Sequence, residues 1–331
     1  MEQKETLILT RGTVARLLNI DECIAGVENA FRLHAEGKAL PPKVMGIPTP
    51  DGGFHIKAGI FGIDRTIFVA KVNANFPGNA TLHGLPTIQG IIVVCNGANG
   101  RLLALMDSIE ITIIRTGAAT AVAAKYLATA NANTATICGC GNQGSISLKA
   151  LMKVRQLTRL YAFDIDQSRS RKFAQAFSGE MEVIPISANE LHHALRHSQI
   201  CVSCTPSREP FIRATDIMPG TFIAAVGADS EEKQEIFSDL MATSKIVVDL
   251  ADQSASIGEL HHAIKQGLLT TADIHSDLGS IIAGKKTGRE SESEIIIFDS
   301  TGTALQDAAA AAIVYTKALH EGMGTKLNFS K

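Results

Sequence analysis

The chain has 331 residues and a mass of 35.1 kDa, more than the roughly 100–200 residues of one typical domain, so we expect two domains. It is 45% hydrophobic and 19% charged, as expected for a globular protein with a large core. Its 31 Lys and Arg nearly balance its 33 Asp and Glu, and Trp is absent. This composition argues against nucleic acid or an anionic membrane as a partner and favours a small molecule.

The N-terminal residues lack the basic start and long apolar run of a signal peptide, and no apolar stretch reaches the length of a membrane span. The six cysteines lie in apolar runs of a long chain, which favours the reducing cytoplasm. Cys201 and Cys204 have the spacing of a redox or zinc pair, but a second ligand pair is missing. We therefore expect buried thiols and no metal site.

The first third of the chain predicts a helix followed by short strands. Apolar residues recur at helical spacing over residues 12–37, before Gly37 ends the run. Turns rich in glycine and asparagine then separate short β-type segments, as in antiparallel sheets. These segments are 55–60, 67–73, 90–95 and 102–106. The alanine-rich stretch 109–130 that follows predicts a helix bridging two domains.

From residue 134 onward the pattern alternates between strand and helix. The predicted strands are 134–138, 159–164, 182–185, 200–205, 222–226 and 246–249, and the helices between them include 143–154, 168–177 and 191–197. Apolar, β-branched strands separated by helices predict a parallel sheet covered on both faces, and so an α/β fold. A last alanine-rich helix, 305–323, could pack back onto the first domain and make that domain discontinuous.

Residues 139–144 read Gly-Cys-Gly-Asn-Gln-Gly, a complete G-x-G-x-x-G between a predicted strand and a predicted helix. Glycines allow a tight turn and let the backbone approach a pyrophosphate, whose charge meets the helix N-terminus. Asp164 ends the next strand, where a carboxylate accepts hydrogen bonds from the adenosine ribose and repels a 2′-phosphate. The motif predicts NAD(H) in preference to NADP(H). The alternative is an ordinary glycine turn with Asp164 as a surface cap.

Two further segments follow predicted strands, at the edge of the sheet where ligands of open α/β folds bind. They are 205–207 (Thr-Pro-Ser) and 225–229 (Ala-Val-Gly-Ala-Asp). Either segment alone could be an ordinary loop. Together they would line one crevice.

Three charged residues stand in apolar surroundings or at a strand end. Lys71 interrupts an apolar strand, where a desolvated lysine has a lowered pKa and can exchange protons with an amine or imine. Arg115 lies near the start of an apolar helix and suits a substrate carboxylate or a cofactor phosphate. Asp229 follows a strand, where a carboxylate could act on water, ammonia or an imine nitrogen. The alternatives are an edge lysine, a core-paired arginine and a turn aspartate.

Ordered segments along nearly the whole chain resemble the ornithine cyclodeaminase/mu-crystallin family, especially its archaeal-type alanine dehydrogenases. These segments are 71–79, 85–87, 106–107, 115–119, 123–128, 139–143, 226–229, 288–291 and 297–302. The resemblance implies a Rossmann-type doubly wound parallel sheet at 119–305. It also implies that this sheet is inserted in a discontinuous α+β domain, 1–118 with 306–331, which binds substrate and forms a homodimer.

The resemblance also implies roles for single residues. Lys71 and Asp229 match the catalytic lysine and aspartate, and Arg115 matches the arginine that binds the substrate carboxylate. Lys43 matches the position of the family's second substrate arginine; lysine keeps the charge but cannot form a bidentate fork. The residues expected to contact the cofactor are Thr112, Thr116, Gly139, Gly141, Asn142, Gln143, Gly144, Asp164, Thr205, Ser207, Val226 and Gly227.

The chemistry that the resemblance implies is hydride transfer at a carbon that bears nitrogen. We expect reduction of a small α-imino acid, such as Δ1-pyrroline-2-carboxylate to L-proline, or an alanine dehydrogenase reaction on pyruvate and ammonia. Cyclodeamination of L-ornithine with recycled NAD is the alternative, although cyclodeaminases tend to have His-Pro where this chain has Phe76-Pro77. A non-catalytic binding protein like the mu-crystallins is a further alternative, and Asp164 argues against their NADP(H) preference.

Overall fold

The computed structural model describes residues 5–62 and 66–329 of the protein. Residues 1–4, part of the N-terminal segment that we expect not to be a signal peptide, lie outside the described residues. The chain divides into two compact units. Unit 1 comprises Met1–Arg115 and Thr303–Lys331, and unit 2 comprises Thr116–Gly302.

In the described residues, the strands number fifteen. They are β1 Thr6–Leu9, β2 Lys43–Thr49, β3 Gly52–Phe61, β4 Ile67–Asn75, β5 Ile88–Asn96, β6 Leu102–Asp107, β7 Thr134–Cys138, β8 Arg159–Phe163, β9 Glu182–Ile186, β10 Ile200–Ser203, β11 Phe222–Ala225, β12 Lys245–Val248, β13 Ile274–Asp277, β14 Ile296–Asp299 and β15 Thr325–Leu327.

Twelve α-helices occur in the same described ranges, together with three short 3₁₀ turns. The helices are α1 Arg11–Leu17, α2 Ile20–Ala35, α3 Asn79–Leu82, α4 Ile109–Leu127, α5 Asn142–Leu151, α6 Gln167–Phe177, α7 Leu191–Arg196, α8 Ser238–Ala242, α9 Ala251–Ile257, α10 Glu259–Lys265, α11 Leu278–Ile282 and α12 Ala304–Glu321. None of the helices in the described part is long and apolar enough to cross a membrane.

The helix expected over residues 12–37 is two helices. Asn19 lies between α1 and α2 in an extended conformation, and its side chain accepts a hydrogen bond from the Glu22 amide at 2.9 Å. Because asparagine is a strong N-cap residue, it starts a new helix inside an otherwise continuous apolar pattern. The prediction of one uninterrupted helix was therefore wrong.

Unit 1 contains a sheet whose described strands follow the order β15-β1-β6-β5-β4-β3-β2. The β1–β6 pair is parallel, and the other pairs are antiparallel. Helix α12 packs against α2 and against β3 and β4. Lys57 on β3, Lys71 on β4 and Ile92 on β5 are direct cross-strand neighbours. Their side chains therefore share one face of the sheet.

Unit 2 contains a sheet whose described strands follow the order β13-β12-β14-β11-β10-β7-β8-β9, and its strand pairs are parallel. The chain runs from β7 outward to β9 and then returns to β10 on the other side of β7. This reversal is the topological switch point at which open α/β sheets bind ligands. The prediction of an α/β fold with a parallel, Rossmann-type sheet is confirmed.

Candidate dinucleotide and substrate sites

The glycine turn of unit 2 connects β7 to α5. Gly139 has φ +105°, a conformation that residues with a Cβ rarely adopt. A Cβ on Gly144 would overlap the carbonyl oxygen of Gly139. Space around Gly141 is open, and no side chain of the described residues caps α5 at this position. The backbone amides at the start of α5 can therefore approach an anionic group such as a pyrophosphate.

The first residues of α5, Asn142 and Gln143, follow directly after this turn. Asn142 is exposed and Gln143 is half-buried. Gln143 Oε1 is shielded from solvent and has no hydrogen-bond partner among the described residues. Since buried polar atoms are normally hydrogen-bonded, this one suits a ligand that supplies a donor.

Asp164 lies directly after β8 and is 8% exposed. Its Oδ2 accepts a hydrogen bond from the Cys140 amide and its Oδ1 accepts one from the Asp166 amide, both at 3.0 Å. The first bond ties the end of β8 to the glycine turn. Asp164 is therefore part of the turn region and not a surface cap distant from it.

The loops after β10 and β11 contain the other candidate cofactor residues. Thr205 Oγ1 accepts a hydrogen bond from the Ser207 amide at 3.2 Å. The Val226 amide donates to the Ser203 carbonyl at 2.8 Å, and Gly227 follows it. Parallel strands end at the same edge of a sheet, so these loops belong to the edge that carries the glycine turn.

Asp229 follows the same loop of unit 2 and is about half exposed, with 51% of its side-chain surface accessible. Its Oδ1 forms an ion pair with Lys233 Nζ at 2.6 Å, four residues further along the chain. Thr116 begins unit 2 and is 8% exposed.

A buried group of charges lies in unit 1, centred on Asp307 of α12. Lys71 Nζ lies 2.9 Å from Asp307 Oδ1 and 2.8 Å from Oδ2. Arg115 Nε lies 3.0 Å from Asp307 Oδ1, and another Arg115 nitrogen donates to Gln306 Oε1 at 2.7 Å. Lys71, Arg115 and Asp307 are 3%, 6% and 0% exposed. The structure thus joins Lys71 and Arg115 through one carboxylate.

The start of α4 is held against β4 next to this group. Ser108 Oγ donates to Asn73 Oδ1 at 2.7 Å, and a Cβ on Gly90 would overlap that oxygen. One turn into the helix, Thr112 Oγ1 accepts a hydrogen bond from Lys71 Nζ at 3.4 Å. The helical spacing of Thr112 and Arg115 then directs both side chains toward Lys71.

Burial and neighbouring charges shift the titration of this group. Burial lowers the pKa of Lys71 to about 7, against the opposing effect of Asp307. Burial alone would raise the pKa of Asp307, but Lys71 and Arg115 hold it below its ordinary value. Lys71 can therefore exchange a proton near neutral pH, whereas Asp307 stays ionised.

The structure places Lys43 away from this group. Lys43 is exposed on β2 and pairs with Ala58, whereas Lys57 pairs with Lys71. Because side chains alternate along a strand, Lys43 lies on the opposite face of the sheet from Lys71. The lysine on the same face is Lys57, which is 6% exposed and whose charge lowers the pKa of Lys71.

Sequence reasoning missed Asp307, Gln306 and Lys57. Asp307 is the only charged residue in the stretch 304–316, which was a usable signal because a buried carboxylate in an alanine-rich helix requires a cation. Lys57 interrupts an apolar strand just as Lys71 does. In the Cys201–Cys204 pair, Cys201 is fully buried and Cys204 Sγ donates to the Cys138 and Gly139 carbonyls.

The parallel sheet, its switch point and the glycine turn define unit 2 as a dinucleotide-binding fold of the Rossmann class. A comparison with family profiles identifies the family within this class. A profile of the ornithine cyclodeaminase/mu-crystallin family matches residues 4–322. The chain belongs to this family, and the expected resemblance is confirmed.

Among its relatives is the alanine dehydrogenase of Archaeoglobus fulgidus, which is 39% identical over 327 residues covering 98% of this chain and 99% of the relative. A solved archaeal alanine dehydrogenase dimer with bound NAD has a TM-score of 0.93 at 37% identity, covering 98% and 99% of the two chains. Δ1-pyrroline-2-carboxylate reductase of Thermococcus litoralis, solved with NADH and L-proline, has a TM-score of 0.90 at 32% identity, covering 97% and 100%.

Proposed function

We propose that the protein is an NAD(H)-dependent oxidoreductase that reduces the C=N bond of a small α-imino acid, with alanine dehydrogenase or pyrroline-2-carboxylate reductase as the nearest activities. The observation that carries this proposal is the buried group in which Lys71 and Arg115 share Asp307. A carboxylate-bearing substrate supplies the negative charge that such a group of cations attracts.

The cofactor assignment is supported by the residues of unit 2. The open space at Gly141 and the uncapped start of α5 fit the pyrophosphate of a dinucleotide, and the unpaired Gln143 Oε1 fits a hydroxyl or amide donor of the same ligand. Asp164 favours NAD(H) over NADP(H), because its carboxylate accepts from ribose hydroxyls and repels a 2′-phosphate. Two solved relatives contain NAD or NADH.

When bound, the cofactor supplies a hydride to the imine carbon. Arg115 holds the substrate carboxylate, and its partners Asp307 and Gln306 fix the guanidinium plane. Such positioning of a reacting carbon contributes up to roughly 7–11 kcal/mol in favourable intramolecular models. Thr112 and Thr116 are the threonines that we propose to contact the cofactor.

Two groups are proposed to handle protons. Lys71 hydrogen-bonds the substrate carboxylate or relays a proton at the reacting centre, and its pKa of about 7 suits either role near neutral pH. Asp229 delivers the proton that the imine nitrogen gains on reduction. In the oxidative direction it activates the water that hydrolyses the imine and releases ammonia.

We assign the second carboxylate-binding cation to Lys57. It is buried on the same face as Lys71, whereas Lys43 is exposed on the other face. Directly opposed like charges destabilise a strand pair, and an anionic substrate between Lys57 and Lys71 offsets that cost.

A homodimer is part of the proposal. On the face of the unit 1 sheet opposite Lys71, Met45, Ile47, Phe54 and Ile91 are 51%, 47%, 40% and 47% exposed. A contiguous apolar surface of this kind marks an interface, and a two-fold pairing of identical surfaces covers it. Sedimentation should give twice the chain mass, and Ile47→Asp should give the mass of one chain.

The proposed compartment is the reducing cytoplasm. The six cysteines are free thiols, and Cys23, Cys138 and Cys201 are buried. Oxidation of such thiols to disulfides is not needed to hold this fold.

The test is NADH consumption at 340 nm with Δ1-pyrroline-2-carboxylate and with pyruvate plus ammonia. We expect consumption with at least one of them and a loss of about 10²–10⁴-fold in Lys71→Ala, the usual contribution of a proton-transferring side chain. No consumption above that variant would reject the proposal. L-Proline formed from L-ornithine with catalytic NAD would instead establish cyclodeamination, and NADH binding without turnover would establish a binding protein.

A further inference from the structure

A buried carboxyl group, Glu235, lies beneath the two loops that follow β10 and β11 in unit 2. Glu235 is 0% exposed. Its Oε1 accepts a hydrogen bond from the Thr205 amide at 2.7 Å. Its Oε2 has no hydrogen-bond partner in the described residues and occupies the space that a Cβ on Gly227 would need. Glu235 thus touches both loops at once.

Two further buried carboxylates hold Glu235 in place. Glu259 accepts the Glu235 amide at 2.8 Å and the Ile236 amide at 3.1 Å. Asp299, at the end of β14, accepts the Glu259 amide at 3.2 Å and the Leu260 amide at 3.0 Å. Glu259 and Asp299 are also 0% exposed. The chain of carboxyl groups runs from the end of β14 to the loops that follow β10 and β11.

Burial raises the pKa of Glu235 and raises that of Glu259 well above its ordinary value. Burial also raises the pKa of Asp299 to about 7. Burying three carboxyl groups is costly, and the backbone amides that they accept recover only part of that cost. Three such groups in contact therefore indicate a functional role in addition to packing.

The strand order shows which part of a dinucleotide these loops serve. Asp164 follows β8 on one side of β7, and Thr205 and Gly227 follow β10 and β11 on the other side. The glycine turn follows β7 itself. With the adenosine ribose at Asp164 and the pyrophosphate at the turn, the ends of β10 and β11 would hold the nicotinamide half.

We propose that Glu235 is a positioning residue for the nicotinamide half of the dinucleotide, fixing the Thr205 and Gly227 loops from below. The inference rests on the proposed binding of NAD(H). Glu235 acts through the Thr205 amide and through the close approach of Gly227, and is itself anchored by Glu259 and Asp299.

The experiment compares two probes in the full-length chain: NADH, which has both halves, and ADP, which has only the adenosine half. In Glu235→Leu we expect the NADH Kd to rise about 10- to 100-fold, the usual effect of losing a hydrogen bond to a carboxylate, and the ADP Kd to change less than about twofold. Glu235→Gln keeps an acceptor oxygen for the Thr205 amide and should restore most of the NADH affinity.

Gly227→Ala tests the same contact without altering the buried carboxyl group. Its added methyl overlaps Glu235 Oε2, so NADH binding should weaken at least tenfold while ADP binding persists. The matched control is Gly179→Ala in the same unit, where the added methyl meets open space and both affinities should stay unchanged.

Equal weakening of NADH and ADP in Glu235→Leu and Gly227→Ala would overturn the proposal, since that is the effect of general damage to unit 2. Unchanged NADH binding in both variants would overturn it as well. If the unmodified protein binds ADP and NADH but reduces no imino acid, the proposed reaction is wrong. The proposed role of Glu235 is still tested in that case, because it is measured by the NADH and ADP affinities and not by activity.

Discussion

The two units bury charge in opposite ways. Unit 1 buries cations, Lys71 and Arg115, around the single carboxylate of Asp307. Unit 2 buries carboxyl groups, Glu235, Glu259 and Asp299, whose hydrogen bonds come from backbone amides. The first arrangement leaves positive charge for a ligand. The second uses carboxyl oxygens, as acceptors for backbone amides, to hold loops in place.

The comparison separates substrate binding from cofactor positioning. Cations that outnumber their carboxylate attract an anionic substrate, whereas buried carboxyl groups offer such a substrate no positive charge. Mutations in the two units should therefore differ in kind. Changes around Asp307 should alter stability and substrate binding, and changes around Glu235 should alter NADH binding.

The largest effect is expected from Asp307→Asn. This change leaves Lys71 and Arg115 buried without their carboxylate, and breaking a buried ion pair typically costs about 3–5 kcal/mol. Denaturant unfolding should show that loss in the free energy of unfolding. Asp51→Asn, an exposed aspartate of the same unit, is the control and should stay within about 0.5 kcal/mol. Equal stability of the two variants would disprove the central role of Asp307.

The next largest effect should distinguish two lysines on opposite faces of one sheet. Lys57→Met should raise the KM for the imino acid about 10- to 100-fold, because a hydrogen bond to a carboxylate is lost. Lys43→Met removes an equal charge from the other face and should change KM less than about twofold. Steady-state kinetics with saturating NADH measure both. The reverse ranking would return the role to Lys43.

The pH dependence should report Lys71, whose pKa is lowered to about 7. Reduction needs the protonated amine, so kcat/KM should fall about tenfold per pH unit above that pKa. Oxidation of the amino acid needs the neutral amine and should rise with pH up to the same point. Lys71→Arg does not titrate in this range, so its kcat/KM should not change with pH near pH 7. Identical slopes in the two directions would argue against this role.

The smallest effect concerns the choice between NADH and NADPH. Asp164→Asn keeps an acceptor for the Cys140 amide and removes the charge, so the preference for NADH should fall about 3- to 10-fold, the scale of a partly screened repulsion. Asp166→Asn removes the same charge from an exposed neighbour that caps α6. The measurement is the ratio of kcat/KM with NADH to kcat/KM with NADPH. If both variants change this ratio equally, the preference for NADH does not depend on Asp164 in particular.

Much of unit 2 could be predicted from the sequence, because its information is local. Apolar runs give buried parallel strands, and the glycine turn with Asp164 depends on residues close together in the chain. The predicted strand 134–138 coincides with β7, and the predicted strands 159–164 and 182–185 differ from β8 and β9 by one residue.

Unit 1 was harder because its defining contacts join distant residues. Lys71 meets Asp307 across 236 positions, and no spacing rule links them. Strands β1, β2 and β15 were missed, since β1 and β15 are short and β2 is largely exposed. The choice between Lys43 and Lys57 could not be made from the sequence for a related reason: a strand face is known only once the register is known.

The most direct test of the account is the transfer of a label. NADH carrying deuterium at C4, prepared separately in each of the two C4 positions, is incubated with the imino acid that consumes it fastest. One of the two labelled forms should yield an amino acid with a single deuterium on Cα, and the other should yield none. An unlabelled product from both forms, or no amino acid at all, would contradict hydride transfer to the imine carbon.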